Sequence, residues 1–220
     1  MFIIPGKMTF VHFPKTGGSW IAQVFGNAGI EMEVKRFHEK SSNVPAEHSS
    51  LPRYGFVREP VSWYRSWYMQ HCRVPSSVWL TEFGTEVQDF IPGVCGLHAS
   101  PPTFAEVGGF RTIHRDLTAS PPAADQGFLD WLEGRTFDTT GPDAVNVLKF
   151  ENLRDEMMTL VNDLDIGTAQ QKRELLEAFC FYGPLNESNP TKLVDLRTSH
   201  PSVVSTVESG EATYMTRNGY

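Results

Sequence analysis

The sequence predicts an α/β fold with a central parallel sheet flanked by helices. Two observations lead there. Short runs of β-forming residues end in turns at residues 14–18 and 58–60, and each turn opens directly into a segment with helical spacing of apolar residues. Strand–turn–helix repeated in that order favours a parallel α/β sheet over a helical bundle. Composition agrees: 40% of the 220 residues are hydrophobic and 20% charged, as in globular chains with a sizeable core. A single domain over residues 1–220 is expected. An irregular excursion is expected at about 92–127, where glycines, prolines and two Ser-Pro-Pro sequences cluster.

The elements follow in order. "TFVHF" (9–13) is a short strand of β-formers. After "PKTGGS", Ile21, Val24, Phe25 and Ala28 share one face of a helix from about Ser19 to Asn27, with Gly29 at its end. "EMEVKRF" is a second strand, and "HEKSSNVPAEHSSLP" a polar loop with a turn of helix. "YGFVREP" is a third strand. Pro60 suits the first turn of the helix that follows, on which Trp63, Tyr64, Trp67 and Tyr68 line one side. That aromatic row reads more readily as core than as a sugar platform. "GFLDWLEG" is a short helix and "AVNVLKFENL" a late strand. Leu153, Met157, Leu160, Val161 and Leu164 mark the next helix, "QQKRELLEAFCF" another, and the last 35 residues read as scattered turns.

Charge and cysteine usage narrow the function. A net charge of −7 does not suit a general nucleic-acid binder, but a small anion responds to the local field. Cys72, Cys95 and Cys180 form no CxxC pair and no metal spacing; at least two are expected in the core. The opening "MFIIPGKMTF" is too broken for a signal peptide, and no run approaches the eighteen or so apolar residues of a spanning helix. A cytoplasmic protein without membrane partners is expected.

The turn at 14–19 carries the chemistry. A strand that enters a helix through glycines exposes successive amide hydrogens, which form an anion site with the helix N-terminus. Gly17 and Gly18 permit unusual backbone angles and close approach, Thr16 and Ser19 carry hydroxyls, and Lys15 a positive charge. The same residues also describe a plain turn with its lysine in solvent. The order is not that of a Walker sequence, because the lysine precedes the glycines.

"FVHFPKTGGSW" resembles the 5′-phosphosulfate-binding loop of sulfotransferases that use 3′-phosphoadenosine 5′-phosphosulfate (PAPS), especially their carbohydrate sulfotransferase-like branch. The resemblance implies a P-loop-like three-layer fold, and donor binding by Lys15, Thr16, Gly17, Gly18, Ser19 and Trp20 at the end of the matched stretch. "YGFVREPVSWYRSWY" is similar to that family's 3′-phosphate element, which implies that Arg58 and Ser66, eight residues later, hold the 3′-phosphate. Where the family often has a further arginine, this chain has Trp63, with Arg65 two positions on. "VLKFENL", "LNES" and the terminal "RNGY" also look like family segments.

The activity implied is sulfuryl transfer from PAPS to a hydroxyl or amine of a glycan or small-molecule acceptor, leaving 3′-phosphoadenosine 5′-phosphate (PAP). Lys15 would face the leaving phosphate oxygen, and no metal is required. His38 is the first candidate for the base, since imidazole titrates near neutral pH. Glu39 is the second. A packed histidine beside a surface Glu-Lys pair is the plainer reading of both, and His12, inside a strand, reads as structural. A long polysulfated acceptor would need a basic channel that this sequence lacks; a small or neutral glycan or another small alcohol fits. The alternatives are a divergent P-loop kinase, or a PAP- or nucleotide-binding module without catalysis.

Overall fold

A computed structural model describes residues 1–35, 38–74, 77–96, 119–181 and 195–220. In chain order its strands are β1 (Phe2–Ile4), β2 (Met8–Phe10), β3 (Glu33–Val34), β4 (Arg53–Val57) and β5 (Val145–Lys149). Its helices are α1 (Gly18–Asn27), α2 (Pro60–Cys72), α3 (Val78–Phe83), α4 (Val87–Cys95), α5 (Phe128–Thr136), α6 (Leu153–Asp163), α7 (Ala169–Phe181), α8 (Leu196–Ser199), α9 (Pro201–Gly210) and α10 (Ala212–Asn218). The chain packs as two compact units, residues 1–58 with 134–187, and residues 59–133 with 188–220.

The first unit holds a five-stranded sheet in the order β3-β1-β2-β4-β5. It is mixed rather than wholly parallel. β4 runs parallel to both β2 and β5, while β1 is antiparallel to β2 and β3. The cause lies in residues the sequence reading left without structure. Pro5-Gly6-Lys7 makes a three-residue turn, with Gly6 at φ 70 and the Lys7 amide donating to the Ile4 carbonyl. So short a link permits only an antiparallel return, because a parallel one needs a long crossover.

Side chains alternate across the strands. Phe2, Ile4, Met8, Phe10 and Phe56 form one core with Trp20, Ile21, Val24 and Phe25 of α1, Leu153, Met157 and Val161 of α6, and Leu175 and Phe179 of α7. Phe2 and Phe10, opposed in register, stack at 4.7 Å. α1 ends where Gly29 predicts. Gly29 is left-handed at φ 68, its amide donates to the Gly26 carbonyl, and the Ile30 amide returns to Phe25. That pair of bonds caps the helix in the Schellman manner. The loop after residue 38 contains two single 3₁₀ turns, Ser41–Asn43 and Ala46–His48.

The second unit is helical. Pro60 opens α2 as expected, and Trp63, Tyr64 and Trp67 are fully buried. Trp63 stacks on Trp67 at 5.0 Å, and Trp67 meets Trp79 edge-on at 5.3 Å, so these aromatic residues are core, while half-buried Tyr68 donates its hydroxyl to the Thr85 carbonyl. The C-terminal residues are helices α8–α10 rather than scattered turns. Val203, Val204, Val207 and Tyr214 bury one face. Between α9 and α10, buried Glu211 accepts from the Tyr64 hydroxyl and from the Leu129 and Asp130 amides at the start of α5. Arg217, in the terminal "RNGY", pairs with Asp130 and Glu133.

Of the segment 92–127, residues 92–96 finish and cap α4 and residues 119–127 lead into α5; residues 97–118 and the "LNES" stretch lie outside the described residues. Cys95 is buried and Cys72 exposed. Among the described residues no helix is long and apolar enough to cross a membrane.

Candidate functional site

β2 and β4 run side by side in the same direction, and the Val11 amide donates to the Tyr54 carbonyl at 2.8 Å. The segments that follow, residues 14–18 and Arg58, therefore leave the sheet at one edge. The turn is shaped by its own chain. Lys15 has φ 65 and Gly17 φ 77. The Thr16 hydroxyl is buried and donates to the Phe13 carbonyl at 2.7 Å, so it braces the turn.

α1 begins at this turn. Its first intrahelical bond runs from the Ile21 amide to the Gly17 carbonyl, and no side chain caps it. The amides of Gly18, Ser19 and Trp20 therefore have no acceptor within the helix. Its first turn carries no acidic residue. Such a start attracts anions through its amides and the helix dipole.

The two glycines serve different ends. Gly17 needs its left-handed backbone, and a Cβ there would also lie 3.1 Å from the Phe150 ring. At Gly18 a Cβ would fall 2.2 Å from His12 Cδ2. The close approach at Gly18 is thus to a buried histidine ring.

Arg58 ends β4. Its Nη1 donates to the Lys15 carbonyl at 3.2 Å, and its guanidinium carbon sits 4.5 Å over the Phe150 ring. Phe150 directly follows β5. The C-terminal ends of three neighbouring parallel strands therefore supply the loop, the arginine and the aromatic platform, the usual placement for a ligand in an open α/β sheet. A cation over an aromatic face in a part-buried place gains both orientation and energy.

Behind the loop lie two histidines. The rings of His12 and His38 are 4.7 Å apart, and His38 Nδ1 is 3.3 Å from the His12 carbonyl oxygen. His38 sits at φ 62. Burial, followed by the nearby chain-start amine and Lys15, pushes its pKa down to about 4, against a partial lift from the His12 carbonyl. Burial also holds His12 well below the ordinary histidine value, helped by His38 and Lys15. The expectation of ordinary titration for His38 is corrected here: both rings are neutral at neutral pH.

The structure thus brings Lys15, Gly17, Gly18, Arg58 and His38 together. Ser19 is exposed on the first turn of α1. Trp20 splits in two: its amide belongs to the open helix start, but its side chain is buried edge-on against Phe179 at 5.3 Å. The Trp20 indole is therefore withdrawn from the donor-binding set. Glu39 points elsewhere. It accepts from Asn43 at 2.7 Å and lines an open hollow of about 600 Å³ with Met1, Val34, Lys35 and Pro45. Ser66 belongs to the second unit, half-buried on α2. Sequence reasoning gave His12 a structural part; only the place of His12 beside Gly18, and of Phe150 beside Arg58, shows what they hold. Comparison with protein-family models, curated proteins and solved structures returns no match.

Proposed function

We propose that the chain is a PAPS-dependent sulfotransferase with a P-loop-like core, acting on a hydroxyl or amine of a small or neutral acceptor. The observation that carries the reading is the uncapped start of α1 beside Arg58, with Arg58 bonded to the carbonyl of Lys15. The site fits a ligand with two anionic groups. Three open amides and Lys15 suit a phosphosulfate, and a guanidinium suits a separate phosphate through paired charge-assisted bonds.

PAPS, when bound, supplies the sulfuryl group and a phosphate leaving group. The amides of Gly18, Ser19 and Trp20 hold non-bridging oxygens in place. Lys15 neutralises charge on the departing phosphate oxygen, a contribution that grows in the transition state. Arg58 fixes the 3′-phosphate and through it the register of the donor. The acceptor proton goes to His38, which is already in its neutral, accepting form. Glu39 is the second candidate for that proton, on the side of the open hollow. Ser66 rests on the resemblance and carries no part of the structural argument.

One observation favours a second reading. A base with its pKa near 4 is weak, and this suits a PAP-binding module without transfer. Two assays decide between them. Calorimetry with PAP and AMP tests the donor site, and an acceptor screen with sulfur-labelled PAPS tests chemistry. The sulfotransferase reading expects PAP to bind more tightly than AMP and label to appear in an acceptor. PAP binding without transfer to any hydroxyl or amine acceptor would support the module, and no preference for PAP over AMP would reject both.

A further inference from the structure

We infer that His12 is a positioning residue: its main-chain carbonyl holds His38 as the Nδ1–H tautomer, so that the Nε2 lone pair is the one that accepts a proton. The consequence for transfer rests on the sulfotransferase reading; the tautomer itself does not.

The argument starts from valence. A carbonyl oxygen can only accept, so the His38 nitrogen 3.3 Å from the His12 carbonyl must carry the hydrogen. A neutral imidazole has one such hydrogen, which leaves Nε2 bare. The partner of one ring nitrogen thereby sets the chemistry of the other. Burial and the cationic Lys15 also keep His38 neutral, and His12 is itself uncharged.

Geometry then ties this bond to the loop. His38 is a non-glycine residue at φ 62, a backbone state that costs free energy unless its surroundings hold it. The ring of His12 backs it at 4.7 Å with an interplanar angle of 32°. That ring is itself fixed by the first residue of α1, because only a glycine at position 18 leaves room for His12 Cδ2 and Nε2. Residue 12 cannot shift without disturbing the helix start, and His38 cannot turn without losing the carbonyl of residue 12. The base and the anion loop are one mechanical unit. In transfer, the acceptor O–H bond breaks as its oxygen bonds sulfur, the proton goes to His38 Nε2, and the electrons of the breaking S–O bond leave with PAP. The imidazolium then carries hydrogens on both nitrogens and releases the Nε2 proton to solvent.

The test is long-range ¹H–¹⁵N NMR of the histidine rings in the whole chain at neutral pH, without ligand, with His38→Gln identifying the signal. The expected result is a protonated Nδ1 and a bare Nε2 for His38. The opposite tautomer, or an even average of the two, would overturn the inference. Gly18→Ala should drive the His12 ring aside and mix the tautomers of His38. His12→Phe keeps a ring beneath Gly18 and keeps the carbonyl, so His38 should stay Nδ1–H; loss of that tautomer in a folded His12→Phe protein would count against the main-chain carbonyl. Absence of PAPS transfer with the tautomer intact would fall on the sulfotransferase reading alone. Transfer with the tautomer reversed would fall on His12 alone.

Discussion

The starts of α1 and α2 look alike in sequence, each a short strand broken by a turn into a helix, yet they treat negative charge in opposite ways. At α2 the helix supplies its own anion: Glu59 accepts from the amides of Val61 and Ser62 at 3.0 and 2.8 Å. At α1 the N-cap is Gly17, which has no side chain to offer, and the first turn has no acid. A helix start left without a carboxylate beside a lysine is a place where an outside anion is stabilised; a start already holding one is a joint in the scaffold. On the sulfotransferase proposal, the phosphosulfate would lie at the first junction. The second junction would contribute Arg58, the residue just before its cap.

Several substitutions would break or sharpen that contrast. The largest effect is expected from Lys15→Ala. Losing a group that meets charge developing in the transition state costs roughly 10²–10³ in kcat, so single-turnover transfer at saturating PAPS should fall far more than PAP affinity does. Equal losses in both would make Lys15 a recognition residue. Arg58→Ala comes next. A hydrogen bond to a charged group is worth about 1.5–3 kcal/mol, and calorimetry should show PAP losing that much affinity while AMP loses little. Unchanged discrimination in a folded variant would remove Arg58 from the 3′-phosphate.

Glu59→Ala sharpens the contrast from the other side. Loss of an N-cap costs about 0.5–2 kcal/mol of stability, measurable by denaturant melts. Its ion pair with Arg197 adds little, because Arg197 is 54% exposed. PAP affinity per folded molecule should hold or rise slightly, since a negative charge beside Arg58 is gone. A fall in affinity would mean that Glu59 shapes the donor site.

The last expected effect is on pH. His38 has a folded pKa of about 4, below the ordinary histidine value near 6.5. Between those values the unfolded chain binds more protons, so stability rises with pH through that window, is complete above about 6.5 and is lost as pH falls toward 4. Glu211 works in the opposite sense. Burial raises its carboxyl from the ordinary 4.5 to about 7, so its contribution is present below the unfolded value and is lost as pH rises through 7. His38→Gln should flatten the acid limb of a stability profile, and Glu211→Gln the neutral limb. A profile unaltered by His38→Gln would show that the ring titrates normally.

How much of this was legible in the sequence depends on what each feature needs. The turn that opens at residue 14, the strand end at 57, the helix stop at Gly29 and the Pro60 start were legible because proline, glycine and apolar spacing act locally, although the strand before that turn stops at Phe10 rather than at residue 13. β1 was hidden because three apolar residues before Pro-Gly carry no periodicity. The C-terminal helices were hidden because Glu211, a buried carboxylate, ties them to α5, and a lone acidic residue reads as surface. In the site, Lys15, Gly17, Gly18 and Arg58 could be picked out by order and spacing. Trp20 could not be resolved that way: a resemblance in sequence does not say which way a side chain leaves the helix, and its indole faces the core. His38 illustrates the same limit. Its residue type suggests a base near neutrality, whereas burial and the cationic neighbour that lower its basicity exist only once the chain has folded.

The difference between the two helix starts can be read directly, amide by amide. In a titration of the ¹⁵N-labelled chain with PAP, followed by ¹H–¹⁵N correlation spectra, the largest shifts should fall on the amides of Gly18, Ser19 and Trp20. Those of Val61 and Ser62, already bonded to Glu59, should move much less. Larger shifts at Val61 and Ser62 than at Gly18–Trp20, or no response to PAP at either junction, would contradict the account.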